Sequence, residues 1–260
     1  MSKRFKLVFA VILIALVTVI VWLVLRQREP DPIVQGKPLS HWLAGYQSGV
    51  DMITRAKTDE IISETGTNAF PILLRMLRAR DPALKRWLMQ LARKQNLVRI
   101  HFIPAQERHH QAGAAFAQLG AAGRDAIPAL IQIYDEDISS SSRFATISAL
   151  GSIGPSASNA IPFLIRAATN SVIEVRLSSI NALEQVDAAP ELTVPALIHA
   201  LSDQQSTVRY YAALAIGRLR PEAKQATPAL TRLLQDPDRN VRQGAAEALK
   251  KLGSRSQDER

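Results

Sequence analysis

One four-residue phrase returns along the chain at a nearly constant interval, and its spacing restricts the fold more than any other feature. It reads IPAL at 127–130, IPFL at 161–164, VPAL at 194–197 and TPAL at 227–230, so its prolines are 34, 33 and 33 residues apart. An earlier copy, FPIL, occupies 70–73. A fixed period in this range is typical of stacked helical repeats. The sequence therefore predicts an all-α solenoid of stacked helix pairs.

Each phrase is expected to begin the second helix of a pair. Proline is tolerated in the first turn of a helix, because its missing N–H would have no partner there. A leucine stands two residues after every phrase proline, at Leu73, Leu130, Leu164, Leu197 and Leu230. With the residues three and six positions after the proline, these leucines predict one buried stripe along the second helices.

The first helices carry a second pattern with the same period. An arginine recurs in each of them, at Arg143, Arg176, Arg209 and Arg242. Six residues before each arginine stands an acid or an amide, namely Asp137, Asn170, Asp203 or Asp236. The turn that joins the second helix of one pair to the first helix of the next therefore holds a polar residue at a constant sequence separation from an arginine.

The combined pattern of proline, turn acid and arginine resembles the HEAT-repeat family in its short bacterial form, over Gly66–Gly253. The resemblance implies a right-handed solenoid with a ladder of hydrogen bonds between turn acids and helix arginines. Its expected structural pairs are Asp137 with Arg143, Asp203 with Arg209, and Asp236 with Arg242. Asn170 with Arg176 should be a weaker rung because the amide lacks charge. In the first repeat the arginine's place falls at His109.

A candidate partner-binding row follows from the same resemblance, which implies that the second helices line the concave side. Four residues after each phrase proline stands a polar residue between apolar neighbours, at Arg75, Gln132, Arg166, His199 and Arg232. One interpretation is that this position simply faces solvent. The other is a basic ridge that grips an acidic or extended ligand.

The period is broken once, since the interval from Pro71 to Pro128 is much longer than the intervals between the later phrase prolines. The extra segment, at about 81–106, contains a predicted helix with four large apolar residues on one face: Leu84, Trp87, Leu88 and Leu91. It also carries a basic patch of Lys85, Arg86, Arg93 and Lys94, and then an alternating, extended pattern at Val98, Ile100 and Phe102. Either the apolar face packs on the stack above a solvated basic face, or the patch docks an anionic lipid, an acidic protein or a nucleic acid.

The N-terminal segment Leu7–Leu25 is apolar and contains no charged residue. As a helix it would span about 28 Å, which matches the hydrocarbon core of a bilayer. A cleaved signal peptide is the alternative, but its apolar region is normally shorter and ends at a small-residue site, which is missing here. We therefore expect an uncleaved signal anchor: one transmembrane helix at 7–25.

The charges on either side of this anchor predict its orientation. Lys3, Arg4 and Lys6 precede it, whereas Arg26 and Arg28 follow it. The excess favours a cytoplasmic N-terminus at 1–6, with a linker at 26–38, the solenoid at 39–253 and a tail at 254–260. In a bacterial inner membrane, this orientation places the solenoid in the periplasm.

No catalytic pattern accompanies the repeats. The chain has no cysteine, no P-loop, no His-Glu dipeptide and no nucleophile elbow, so we expect no metal, no cofactor and no enzyme activity. Residues 30–260 carry 27 basic and 22 acidic groups, and this small excess argues against nucleic acid as the partner. The favoured function is a membrane-tethered scaffold for a protein partner. The alternatives are a repeat-type enzyme, similar to a bilin lyase or to a DNA glycosylase, or a binder of anionic lipid or nucleic acid through the insertion.

Overall fold

The computed structural model describes residues 31–254 apart from 48, 95–101 and 220. The predicted anchor Leu7–Leu25 lies outside the described residues, and so does the tail after residue 254. Within the described residues, no helix combines the length and the apolar character that crossing a bilayer requires.

The described part of the chain is helical, with one two-stranded antiparallel hairpin at its start. The hairpin consists of β1 (Ile33–Val34) and β2 (Lys37–Pro38). The helices are α1 (Leu39–Leu43), α2 (Met52–Thr65), α3 (Phe70–Leu77), α4 (Ala83–Lys94), α5 (Ala105–Leu119), α6 (Ile127–Asp135), α7 (Ser140–Ser152), α8 (Ile161–Ala167), α9 (Ile173–Val186), α10 (Pro190–Ala200), α11 (Ser206–Arg218), α12 (Thr227–Leu233) and α13 (Arg239–Ser254). Short 3₁₀ segments occupy Ala44–Tyr46, Gly66–Ala69, Gly120–Ala126, Gly154–Ala160 and Pro221–Ala226.

The predicted helix pairs are confirmed, since the five phrases lie in α3, α6, α8, α10 and α12. In four of these second helices the phrase proline occupies the first turn. Helix α10 differs, because it begins at Pro190 and contains Pro195 in its interior. In the turn before it, Asp187 and Ala189 adopt left-handed conformations, with φ of 40° and 46°. The chain therefore reverses at once and enters the helix without a 3₁₀ segment.

The predicted leucine stripe forms the core of the stack. The five leucines that follow the phrase prolines are all completely buried: Leu73, Leu130, Leu164, Leu197 and Leu230. The first helices contribute three further apolar residues, each seven positions after a first-helix arginine: Leu150, Leu183 and Ile216. These three side chains are also completely buried. Burial of one such side chain contributes roughly 1.5–3 kcal/mol, so the two stripes hold each pair together.

Neighbouring first helices approach each other closely at two glycines. A Cβ atom on Gly217 of α11 would lie 2.8 Å from the Cα atom of Ala248 in α13. A Cβ atom on Gly151 of α7 would lie 2.9 Å from the Cα atom of Ala182 in α9. Real Cβ atoms do not come so near to a backbone atom, so any side chain at these positions would push the two helices apart.

The N-terminal end of the stack includes residues that the sequence assigns to the linker. The hairpin at 33–38 packs on α1, where the indole N–H of Trp42 donates to the carbonyl of Val34 at 3.0 Å. The Trp42 ring is half-buried, and the ammonium group of Lys37 lies 5.1 Å from its centre. At the tip of the hairpin, Gln35 donates to Glu64 of α2 at 3.2 Å. These contacts make the hairpin part of the folded stack.

Asp81 closes the neck of the insertion. One of its carboxylate oxygens accepts a hydrogen bond from the backbone N–H of Ala105 at 2.8 Å, and the other pairs with the ammonium group of Lys85. Lys85 also donates to the carbonyl of Ile103 at 2.9 Å. Partial burial acts to raise the pKa of Asp81, but these hydrogen bonds outweigh it and hold the pKa below its ordinary value. The insertion therefore leaves and rejoins the stack at one point.

The sequence analysis offers packing on the stack as one interpretation of the apolar face of α4, but this face does not pack there. Leu84, Trp87 and Leu88 are 67%, 57% and 37% exposed, and α4 makes no extensive contact with any other described helix. Because the neck ties the two ends of the insertion together, the helix projects from the stack instead of lying along it. The predicted extended residues Val98 and Ile100 lie outside the described residues.

Candidate binding face

Two arginines of the first helices, Arg176 and Arg209, link neighbouring repeats. Arg209 donates from Nε and Nη2 to the two carboxylate oxygens of Asp236, each at 2.8 Å. It also donates from Nη1 to the backbone carbonyl of Asp203 at 2.9 Å. Arg176 repeats this arrangement, with Asp203 as its carboxylate at 3.0 Å and Asn170 as its carbonyl at 2.9 Å. Each of these arginines thus binds its own turn and the next one.

This register differs from the one that the family resemblance implies. Arg209 and Arg242 contact Asp203 and Asp236 of their own turns only through the backbone carbonyls, at 2.9 and 2.7 Å. The two carboxylates turn to the arginine of the preceding repeat instead. In the turn, each aspartate also accepts the backbone N–H two residues later, which orients it for this contact.

The weak rung of the ladder lies one repeat earlier than expected. Arg176 and Arg209 each bind the polar residue of the following turn, and for Arg143 the equivalent residue is Asn170, which has no charge to offer. Arg143 therefore pairs with Asp137 of its own turn at 2.9 Å, the pair that the family resemblance implies. Asn170 donates to the hydroxyl of Tyr134 at 3.0 Å, and Arg176 is held by Asp203.

His109 replaces the arginine in the first repeat. Like Arg176 and Arg209, it contacts a backbone carbonyl of its own turn and a side chain of the next repeat. Its Nε2 lies 3.0 Å from the carbonyl of Ala79, and its Nδ1 lies 2.8 Å from the hydroxyl of Ser141 in the next repeat. A neutral imidazole satisfies both groups, with one donor and one acceptor. Burial holds the pKa of His109 below its ordinary value, and the nearby Arg108 acts in the same direction. The neutral ring is therefore the favoured form.

The predicted polar row lies on the solvent-exposed side of the second helices. Gln132, Arg166, His199 and Arg232 are exposed, and Arg75 is half-buried. Each residue has the same position in its helix, so the five follow one another across neighbouring repeats. We call this side of α3, α6, α8, α10 and α12 the second-helix face.

Two ion pairs on this face were missed by the sequence analysis. Arg166 donates to Asp135 of the preceding repeat at 2.8 Å, and both side chains are more than half exposed. Arg78 donates from Nε to both carboxylate oxygens of Glu136, at 3.0 and 3.1 Å. The signal was present, because Asp135 follows Gln132 by three residues and must share its helix face.

The row itself contains three arginines and no carboxylate, so its own charge is positive. The acids beside it, Asp135 and Glu136, pair with Arg166 and Arg78. Surface pairs of this kind contribute little to stability. They remain available to exchange partners with a bound ligand.

A polar groove adjoins His199 at the edge of this face. It has a volume of about 400 Å³, and its lining includes Thr169, Asn170, Ser202 and Gln204. Hydroxyl and amide groups both donate and accept hydrogen bonds. The groove is therefore suited to the N–H and C=O groups of a peptide backbone.

A second groove lies on the opposite layer, between α5 and α7. It has a volume of about 320 Å³, and Gly113, Ala117 and Phe144 form much of its wall beside His110. Phe144 is 48% exposed there. This groove is more apolar than the one beside His199, and the polar row does not reach it.

The predicted basic patch belongs to α4. Lys85 is committed to the neck of the insertion, Arg86 is exposed, and Arg93 and Lys94 stand in the last turn of the helix. Among the described residues, no group of three or more His, Asp or Glu side chains is arranged to hold a metal ion.

Comparisons with known proteins support the repeat architecture. The family model described as HEAT repeats matches residues 194–259. A designed armadillo repeat protein in complex with the peptide (KR)4 is 16% identical, with a TM-score of 0.50, and the alignment covers 83% of this chain and 99% of that one. An engineered protein is 19% identical, with a TM-score of 0.46, over 83% and 98% of the two chains. No curated protein matches the chain. The chain is therefore a repeat protein with an α-solenoid fold.

Proposed function

We propose that this protein is a non-catalytic scaffold that binds an extended, acidic segment of a partner protein across its second-helix face. The observation that carries the proposal is the exposed row with a basic excess, which runs beside a polar groove. The designed armadillo protein of similar fold is itself in complex with a basic peptide. Here the sign of the face favours a peptide of the opposite charge.

The spacing of the row sets the length of such a segment. Packed helices lie about 8–10 Å apart, and an extended chain advances about 3.3–3.6 Å per residue. One repeat therefore corresponds to about three peptide residues, and the row from Arg75 to Arg232 to about twelve. An acidic residue at every third position would meet each repeat in turn.

Two labelled peptides of this length test the proposal by fluorescence polarisation, with the full chain held in an uncharged detergent. One peptide carries aspartate at every third position, and the other carries lysine there. We expect the acidic peptide to bind at least about tenfold more tightly, and its affinity to fall with added salt. Arg166→Glu combined with Arg232→Glu should remove this preference, because two of the three arginines of the row reverse sign.

A matched control changes the charge equally at exposed lysines away from the row. Lys224→Glu with Lys250→Glu should leave the preference for the acidic peptide intact. Neither double variant should shift the thermal midpoint by more than about 3 °C, since these side chains are exposed. Equal binding of the two peptides, or equal losses in the two double variants, would show that the row is not the binding site.

We also propose that Leu7–Leu25 anchors the scaffold in a bacterial inner membrane, with the repeats on the periplasmic side. The support is the uncharged length of this segment and the three cations before it against two after it. Such an arrangement would hold the repeats close to the membrane surface.

Reporter fusions at the C-terminus test this orientation. We expect alkaline phosphatase to be active there and a reporter that works only in the cytoplasm to be inactive. The opposite pair of activities would place the repeats in the cytoplasm and reject the proposed orientation. A fusion that washes off membranes at alkaline pH would reject the anchor itself.

A further inference from the structure

Helix α4 has an exposed apolar face that has no part in the proposed function. Leu84 and Trp87 are 67% and 57% exposed, although large apolar side chains in the repeats are otherwise mostly buried. Leu88, one turn after Leu84, lies on the same face and is 37% exposed. An apolar strip on a projecting helix marks a surface that is covered by something in the working molecule.

The charge around this face indicates what covers it. Residues 82–106 contain five Lys/Arg and no Asp or Glu. Lys85 serves the neck, while Arg86 is exposed on α4. A helix that combines tryptophan and leucine on one side with several cations and no acids has the composition of helices that lie in the interface of an anionic bilayer.

The position of α4 in the stack agrees with this assignment. The insertion rejoins the chain at α5, and α5 packs against α2 and the 3₁₀ segment Ala44–Tyr46. Helix α4 therefore projects from the N-terminal end of the stack, the end that follows Leu7–Leu25 in the chain. This step rests on the proposed anchor, which would bring the same end to the membrane surface.

We propose that α4 docks on an anionic lipid surface. Leu84, Trp87 and Leu88 enter the boundary between headgroups and acyl chains, and the positive charge of 82–106, with Arg86 exposed on α4, attracts the anionic headgroups. At about 18 Å, the helix is too short to span a bilayer and lies along it. The neck at Asp81 fixes the helix to the stack, so docking sets the tilt of the repeats relative to the membrane.

The absence of cysteine in the chain allows a site-specific probe. Leu84→Cys and, as a matched control on the polar side of α4, Gln90→Cys are each labelled with an environment-sensitive fluorophore. The full chain is reconstituted into vesicles of phosphatidylcholine alone or mixed with phosphatidylglycerol. In the mixed vesicles we expect the label at 84 to shift to the blue and to be quenched by brominated acyl chains, whereas the label at 90 stays in water.

Substitutions then separate the apolar and the charged contributions. Trp87→Ser should remove most of the blue shift at 84, and Arg86→Gln with Arg93→Gln should weaken the dependence on phosphatidylglycerol about tenfold. Phe144→Ser, at an exposed aromatic residue elsewhere, should change neither. Membrane incorporation of the chain is scored separately by alkaline extraction, so a failed anchor is not mistaken for a failed α4; for a chain that does not incorporate, the vesicles are added from outside.

Two results would overturn the proposal. A label at 84 that stays in water on the mixed vesicles would mean that lipid does not cover this face. A label at 84 that is already shielded without lipid would mean that α4 covers its face with protein, either on the groove beside Phe144 or on a second copy.

Discussion

Asp236→Ala should destabilise the protein by about 3 kcal/mol, because it leaves a largely buried guanidinium without its carboxylate. The side chains of Arg209 and Asp236 are 14% and 5% exposed, and two hydrogen bonds of 2.8 Å join them. Arg209 would keep its bond to the carbonyl of Asp203, which places the loss at the lower end of the range for buried pairs. Urea unfolding followed by circular dichroism measures it.

Asp137→Asn is the control from another turn, because the φ of 47° at this position is tolerated by asparagine but strained for alanine. Asp137 also pairs with an arginine, at 2.9 Å, but its side chain is 68% exposed, and we expect a loss of less than about 1 kcal/mol. Equal losses in the two variants would contradict the importance assigned to the contact across repeats.

The same pair predicts how stability responds to acid. The hydrogen bonds from Arg209 hold the pKa of Asp236 below its ordinary value, although burial opposes them. The folded state therefore releases this proton more easily than the unfolded state does. The contribution of the pair is complete above the ordinary pKa of an aspartate and is lost as the pH falls through the lowered value. Asp236→Ala should abolish that part of the acid sensitivity.

Gly217→Val should destabilise the protein by about 2 kcal/mol through overpacking between α11 and α13. The first added carbon would lie 2.8 Å from the Cα atom of Ala248, and a backbone atom cannot turn aside as a side chain can. We expect a lower thermal midpoint and faster hydrogen exchange in α13, since α11 is its neighbour among the first helices that the structure describes.

Gly113→Ala provides the comparison for an interior glycine with space. Its new Cβ atom would lie 3.5 Å from that of Ala145, an ordinary contact distance. Alanine also favours helices over glycine by about 1 kcal/mol, so this variant should equal or exceed the parent in stability. A destabilised Gly113→Ala together with an unaffected Gly217→Val would contradict the packing described for the first helices.

The sequence predicts the helix pairs well because the phrase, the leucine and the arginine all report the same period. The shared period is also the reason why the sequence does not predict the register of the ladder. Arginine and the turn aspartate recur with one shared period, so a contact with the preceding turn and a contact with the following turn produce the same pattern. Side-chain reach decides between them, and Arg209 reaches the following turn.

The insertion shows a second limit of sequence reasoning. Helical spacing correctly predicts α4 and identifies Leu84, Trp87 and Leu88 as one face. Amphipathicity indicates that a face needs cover, but not whether the cover is this chain, another protein or lipid. A neck of hydrogen bonds holds α4 away from the stack. It joins Asp81, before the helix, to Ile103 and Ala105, well beyond its end, partly through Lys85. No periodic sequence pattern predicts these contacts.

Asn170 changes how the polar contacts between repeats respond to salt. Later repeats are joined by largely buried arginine–carboxylate rungs, whereas the repeats that meet at Tyr134 and Asn170 share a neutral hydrogen bond of 3.0 Å and the exposed pair between Arg166 and Asp135. Salt screens exposed pairs much more than buried ones. The charged contact across this junction is therefore the one that weakens first as the ionic strength rises, while the rungs of the later repeats persist.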